Sequence, residues 1–293
     1  MVGIEFSEGL AEVPHVSVRV ARPSAALQSH VTFYYFVEAD GALTDFLYPE
    51  WGNVRFAVHG QWQVRMPGCY PEEPQVEVLF GPTDRHAEIF TASGKTVGFG
   101  LTPLGWHHLI GGDASSMANR VAPLGQALGV DSAHLRACLA GDDDAQGVAR
   151  LESVLLALLS RQPAPNRQIV AIDRALRQRP RDVATFADAA GVTPRTLHRL
   201  CLRGFGFAPK RLLRRERFLE TLGRVRSAVG GRICTSLADA YVDQSHFYRD
   251  FHDFMAMSPR AYFSAPRRLM AEAAAAQVRA GVTLSFALPP PPP

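Results

Sequence analysis

The stretch VATFADAAGVTPRTLHRLCL, Val183 to Leu202, limits what this 293-residue chain can fold into more than any other. Two short helices that cross closely around a sharp turn need a small residue inside the first, a glycine at the turn and apolar residues at fixed offsets. Ala187 and Gly191 fill the small and turn positions, and Phe186, Ala190, Val192, Leu197 and Leu200 supply the apolar ones. Thr193 is a ready N-cap for the second helix, and Pro194 suits its first turn, where a missing N–H does no harm. With Leu197 and Leu200 turned inward, Arg195, Thr196, His198 and Arg199 project outward from the first two turns. Arginine can donate two bonds to guanine, and Thr and His can meet bases or phosphates, so the pattern predicts a helix-turn-helix whose second helix touches base edges. A helical hairpin inside another all-α fold is the alternative that this stretch alone leaves open.

A second stretch, YVDQSHFYRDF from Tyr241 to Phe251, crowds hydrogen-bonding side chains among aromatics. Asp243 can cap a helix in which Phe247, Phe251 and Phe254 fall at i, i+4 and i+7 and form an inward stripe. Gln244, Ser245, Tyr248 and Arg249 lie elsewhere on it. Gln suits adenine, Arg suits guanine or phosphate, and Ser suits either. With ICTSLADA before it as a first helix, this predicts a second reading unit. Catalysis is a poor fit, because Asp243, His246 and Asp250 form a surface row with no nucleophile or cofactor motif beside them. His246 and Asp250, four apart, are expected to support one another on the helix surface.

Charge divides the chain the same way. Residues 1–160 hold nine Arg and Lys against 18 Asp and Glu, a balance of −9, whereas residues 166–270 hold 20 against nine, a balance of +11. A basic segment of this size is the footprint of a polyanion-binding surface, or a set of solvated Arg-rich faces.

The first 105 or so residues read as β structure. HVTFYYFVEA, NVRFAVHGQWQVRMP, PQVEVLFGPTD, HAEIFTAS and KTVGFGLTP are rich in Val, Phe, Tyr and Thr and are punctuated by Gly, Pro and Asp. Such spacing suggests a sandwich or barrel, with His59-Gly60 as a hairpin turn. Helical segments follow near 105–111, 121–129 and 132–140. The amphipathic run 145–162 either closes the core of the barrel or serves as a dimer or domain contact. PAPNR, 163–167, is a linker. Beyond about 271 an Ala-rich run, able to extend a helix, leads into LPPPPP, and 271–293 is expected to be a disordered tail. The organisation expected is therefore a sensor or dimerisation domain over 1–162, a linker over 163–167 and a DNA-binding domain over 168–264.

No cofactor and no metal are expected. Cys69, Cys138, Cys201 and Cys234 are scattered without metal-ligand spacing and read as reduced, mostly buried thiols. His59 and His86 are isolated, and the adjacent rings of His107 and His108 point apart. Trp51, Phe56, Trp62 and Trp106 are candidates for an apolar effector pocket, or simply core residues. No leader and no apolar run near the roughly 20 residues needed to span a bilayer are present, so a cytoplasmic protein with no membrane partner is expected.

GVTPRTLHRL, GFAPKRLLRRERFLETL and YVDQSHFYRDFHDFMAMSPRAYF together resemble the AraC/XylS transcriptional regulators, over residues 167–264. The resemblance implies two helix-turn-helix units joined by a long helix that presents both reading helices to successive major grooves. It implies base contacts from Arg195, His198 and Arg199, and from Gln244, Ser245 and Arg249, with Lys210 and Arg215 meeting phosphates or packing. Two positions depart from that pattern. Ala240 and Ala256 stand where glycine is common, and each costs about 1 kcal/mol if its backbone is left-handed. GFGLTPLGWHHLIG and VAPLGQALG resemble a segment of one group of the family's sensor domains.

The fold class expected is thus α+β: a β-barrel-like, cupin-like domain with helices, then an all-α domain of two helix-turn-helix units. The function expected is that of a sequence-specific transcription regulator, not an enzyme. Its partners would be double-stranded DNA, a small-molecule effector, a second copy in a homodimer and, for an activator, RNA polymerase. A barrel enzyme with an appended DNA-binding module, and a ligand-free DNA-binding protein whose first domain serves assembly, are the alternatives.

Overall fold

A computed structural model describes residues 14–68, 76–125, 127–227, 244–265 and 267–282. Its first part is an antiparallel sheet built from strands β1 (Val16–Ala21), β2 (Val31–Ala39), β3 (Leu43–Leu47), β4 (Asn53–Arg65), β5 (Glu77–Phe80), β6 (Ala87–Leu101) and β7 (Val121–Pro123). The spatial order is β1-β2-β6-β4-β5-β7. β6 is long enough to serve two neighbours on one side: Ala87 to Thr91 pair with β3, and Gly94 to Leu101 pair with β2. The sheet is barrel-like without closing on itself.

Strand alternation gives the sheet two apolar faces. Tyr34 and Phe36 of β2, Val54 and Phe56 of β4, and Val97, Phe99 and Leu101 of β6 point to one face. Tyr35 and Val37, Trp62 and Val64, and Ala87 and Ile89 point to the other. The first face is covered by the turns α1 (Pro103–Gly105) and Trp106–Ile110 and by the helices α2 (Ser132–Leu139) and α3 (Asp144–Arg161). α3 starts at the Asp143 N-cap and commits Val148, Leu151, Leu155 and Leu158 to the sheet. Its apolar stripe is therefore the lid of the core.

Four expectations are corrected here. His59-Gly60 is no hairpin turn: β4 runs through it, with register shifts against β6 on either side. Gly60 (φ +72) faces Gly94 (φ +148) across the ladder, and a Cβ on Gly60 would lie 2.1 Å from the Ser93 carbonyl oxygen. The pair is a bulge that bends both strands where their backbones nearly touch. For the same reason HAEIFTAS and KTVGFGLTP are one strand. The helix expected over 121–129 is instead the strand β7 followed by turns. Nor is 271–293 a tail throughout: residues Arg268–Arg279 form a helix whose Leu269 and Ala276 cover the second face of the sheet.

The C-terminal part is helical: α4 (Arg167–Arg177), α5 (Val183–Ala190), α6 (Pro194–Phe205), α7 (Pro209–Ser227), α8 (Gln244–Met255), α9 (Pro259–Ser264) and α10 (Arg268–Arg279). α6 and α8 are equal in length and stand 50 residues apart. Each ends at a residue of positive φ, Gly206 or Ala256, and a helix opening on proline, Pro209 or Pro259, follows three residues later. The buried positions repeat as well: Leu197, Leu200 and Cys201 against Phe247, Asp250 and Phe251. ICTSLADA, Ala240 and Asp243 lie outside the described residues.

Candidate nucleic-acid interface

In the first unit, the Asp182 carboxylate accepts the Thr185 N–H and starts α5. Gly191, at φ +64, closes it and makes the sharp turn. Phe186, Ala187 and Ala190 of α5 meet Leu197, Leu200 and Cys201 of α6 in one apolar cluster with Ile169 and Ile172 of α4. Burial there pushes the Cys201 thiol up to about 12, so it remains an inert packing group. Packing of Leu197 and Leu200 inward leaves Arg195, His198 and Arg199 exposed. Thr196 is half-buried, and its N–H and hydroxyl both meet the Thr193 hydroxyl, at 3.2 and 3.1 Å. It is the more local of the four residues and serves the N-cap.

The second unit repeats this on an aromatic core. Phe247, Phe251 and Phe254 of α8 pack on Phe218, Leu219 and Leu222 of α7, with Phe218 and Phe254 stacked at 5.1 Å. Ser245, Tyr248 and Arg249 are exposed; the side chain of Gln244 lies outside the description. Asp250 is not part of a surface row: it is buried, accepts the Arg214 guanidinium at 2.6 Å and lies 3.6 Å from that of Arg217. Asp253 is shared by Arg211 and Arg214. These pairs bind α8 to α7, and Arg211 continues to Asp84 of the sheet domain at 2.5 Å. Sequence spacing gave no sign of this network, because Arg214 and Asp250 are 36 residues apart and Arg211 and Asp84 are 127 apart.

α7 spans both cores, with Leu212 in the first and Phe218, Leu219 and Leu222 in the second. Lys210 is exposed at its start. Arg215 is not available to a phosphate in this arrangement: it is 0% exposed, its guanidinium lies 4.1 Å from the Trp51 ring and it pairs with Glu216 at 2.9 Å. Of the two roles left open for it, the geometry fits packing. Arg195, Arg199, Lys210 and Arg249 hold no ion pair among the described residues, so their charges are free for an external anion.

The four aromatics considered for an effector pocket are not brought together. Phe56 and Trp106 are core residues of the first sheet face, Trp62 belongs to the second, and Trp51 sits in the core of the first helical unit, edge-on to Phe205 at 6.2 Å. Strand alternation and the position of Trp51 in the β3–β4 connection send them to three places. Tyr48, in the same connection, enters the second unit's core and its hydroxyl meets that of Tyr262. His59 is exposed and His86 buried. His30 Nε2 and His108 Nδ1 lie 3.0 Å apart, and His108 Nε2 reaches the Pro163 carbonyl at 3.0 Å. Among the described residues no group of three or more His, Cys, Asp or Glu is gathered to hold a metal ion, and no helix is long and apolar enough to cross a membrane.

Comparison with known proteins agrees with this geometry over the C-terminal part. Residues 186–265 match the model of a helix-turn-helix domain family, less than a third of the chain. No curated protein matches. Two solved structures are similar in part: ToxT from Vibrio cholerae, at 9% identity over 85% of this chain and 97% of that one, with a TM-score of 0.41, and the AraC-like transcriptional activator CuxR, at 14% identity over 70% of this chain and 86% of that one, with a TM-score of 0.27.

Proposed function

We propose that this chain, whose residues 186–265 match a helix-turn-helix domain family, is a DNA-binding transcription regulator that reads a specific sequence through both α6 and α8, under control of a small effector acting on the sheet domain. The observation that carries the reading is the matched pair of helices. Arg199 and Arg249 occupy the same place in α6 and α8, both exposed and both without an ion pair among the described residues. Arginine in such a position can bind guanine O6 and N7 together. Arg195 and His198 add contacts in the first half-site, and Gln244 and Ser245 in the second, while Lys210 adds a phosphate contact that sets affinity without reading sequence.

Control by an effector is supported by how closely the two parts are joined. Trp51 and Tyr48 of the sheet domain fill positions in the two reading units, and the His86 N–H donates to the Phe254 carbonyl at 2.8 Å. A ligand that altered the sheet domain would bias the arrangement of the DNA-reading units.

The test is selection of genomic fragments by the full chain, followed by Arg199→Ala and Arg249→Ala. Each should weaken specific binding by about 1–3 kcal/mol, with lost discrimination at a different half of one site. Equal losses on every sequence would make them backbone contacts and remove the sequence-reading role.

A further inference from the structure

The 50-residue repeat singles out one more position. Tyr248 stands in α8 where His198 stands in α6, and both are exposed between the same buried neighbours: Leu197 and Leu200 in one helix, Phe247 and Asp250 in the other. Tyr248 is 43% exposed, one of few large apolar side chains left at the surface. Its ring meets that of Phe247 edge to face at 6.3 Å, so the buried anchor beside it restricts where it points. Its hydroxyl has no hydrogen-bond partner among the described residues. Ser245, one turn earlier, and Arg249, beside it, are the exposed polar groups that flank it.

We propose that Tyr248 is the thymine-reading residue of the second helix, its ring packing on a thymine C5-methyl in the major groove. This rests on the DNA-reading role of α8. Of the four bases only thymine presents an apolar group in that groove, and an aromatic face is matched to it and to no hydrogen-bonding edge. The proposal makes the two half-sites unlike each other. α6 presents Arg195, His198, Arg199 and Arg203, donors suited to acceptor-rich guanine. α8 presents Ser245, Tyr248 and Arg249, while the Asp253 carboxylate, which would repel DNA, is held by Arg211 and Arg214.

The experiment uses the full chain and a duplex obtained by selection from random sequence. Each thymine of the second half-site is replaced in turn by deoxyuridine, which removes the methyl and changes nothing else. One replacement should weaken wild-type binding about fourfold, the worth of one buried methyl. Tyr248→Ala should bind the thymine and deoxyuridine duplexes equally, and Tyr248→Phe should keep the wild-type preference. No deoxyuridine effect on the wild type, an undiminished effect in Tyr248→Ala, or loss of the preference in Tyr248→Phe would each overturn the proposal. Failure of the wild type to select any sequence would instead refute the regulator reading on which it stands.

Discussion

Replacing Ala256 by glycine should stabilise the protein. Ala256 follows the last turn of α8 at φ +53 and donates its N–H to the His252 carbonyl at 2.9 Å, the left-handed closing position that helices usually give to glycine. An L-residue there costs about 1–2 kcal/mol relative to glycine. Glycine returns about 0.4–1 kcal/mol of that through the greater freedom of the unfolded chain, leaving a net gain of about 0.5–1 kcal/mol. The equivalent residue of the first unit is the control. Gly206, at φ +84, would place a Cβ 2.6 Å from Pro82 Cγ, so Gly206→Ala combines backbone strain with a clash against the sheet domain and should cost more than 1 kcal/mol. Urea titration followed by far-ultraviolet circular dichroism measures both, with an unchanged m-value showing that stability alone has moved. A lower midpoint for Ala256→Gly, or Gly206→Ala as stable as the wild type, would refute the strain argument. DNA affinity should not fall in Ala256→Gly, because the substitution leaves Ser245, Tyr248 and Arg249 in place.

Lys210→Ala should reduce the slope of log affinity against log salt by about one, whereas Arg215→Met, which replaces a buried side chain, should leave the slope unchanged; a reduced slope for Arg215→Met would return that residue to the phosphate contacts. The His30 imidazole, partly buried and beside His108, is held down to about 4 from an ordinary 6.5. Its contribution to stability is therefore complete above about 6.5 and is lost as the pH falls toward 4, because the unfolded chain takes up the proton first. A His30→Asn variant should lose stability less steeply over that window in denaturant titrations, and an equally steep loss would remove His30 as the cause.

What could be read from the sequence was local. The cap at Thr193, the turn at Gly191 and the 3.6-residue spacing of Leu197, Leu200 and of the α8 phenylalanines depend on neighbours a few residues away, and each is present. The errors arose where one residue type serves two structures. Gly60 and Gly94 punctuate a bulge as readily as a turn, so two long strands read as four short ones. Residues 271–279 are largely alanine, good for a helix yet too small to announce that they pack on a sheet. In KRLLRRERF every arginine is equivalent by spacing alone. Which one is buried is decided by Trp51, more than 160 residues earlier, and no periodicity carries that information.

The β3–β4 connection also bears on how the two reading helices are spaced. α7 joins the units, but a single helix fixes only their separation along its own axis. Tyr48 and Trp51 lie three residues apart in one short connection and enter different units, the first beside Phe251 and Tyr262, the second beside Phe205 and under the Arg215 guanidinium. Arg211, on α7, extends the bracket by holding Asp84 of the sheet domain and Asp253 of α8 together. Interiors packed this closely switch between discrete arrangements instead of stretching. A shift of that connection therefore cannot displace one unit and leave the other as it was, and the relative position of α6 and α8 is a property of the whole chain, not of the helical domain alone.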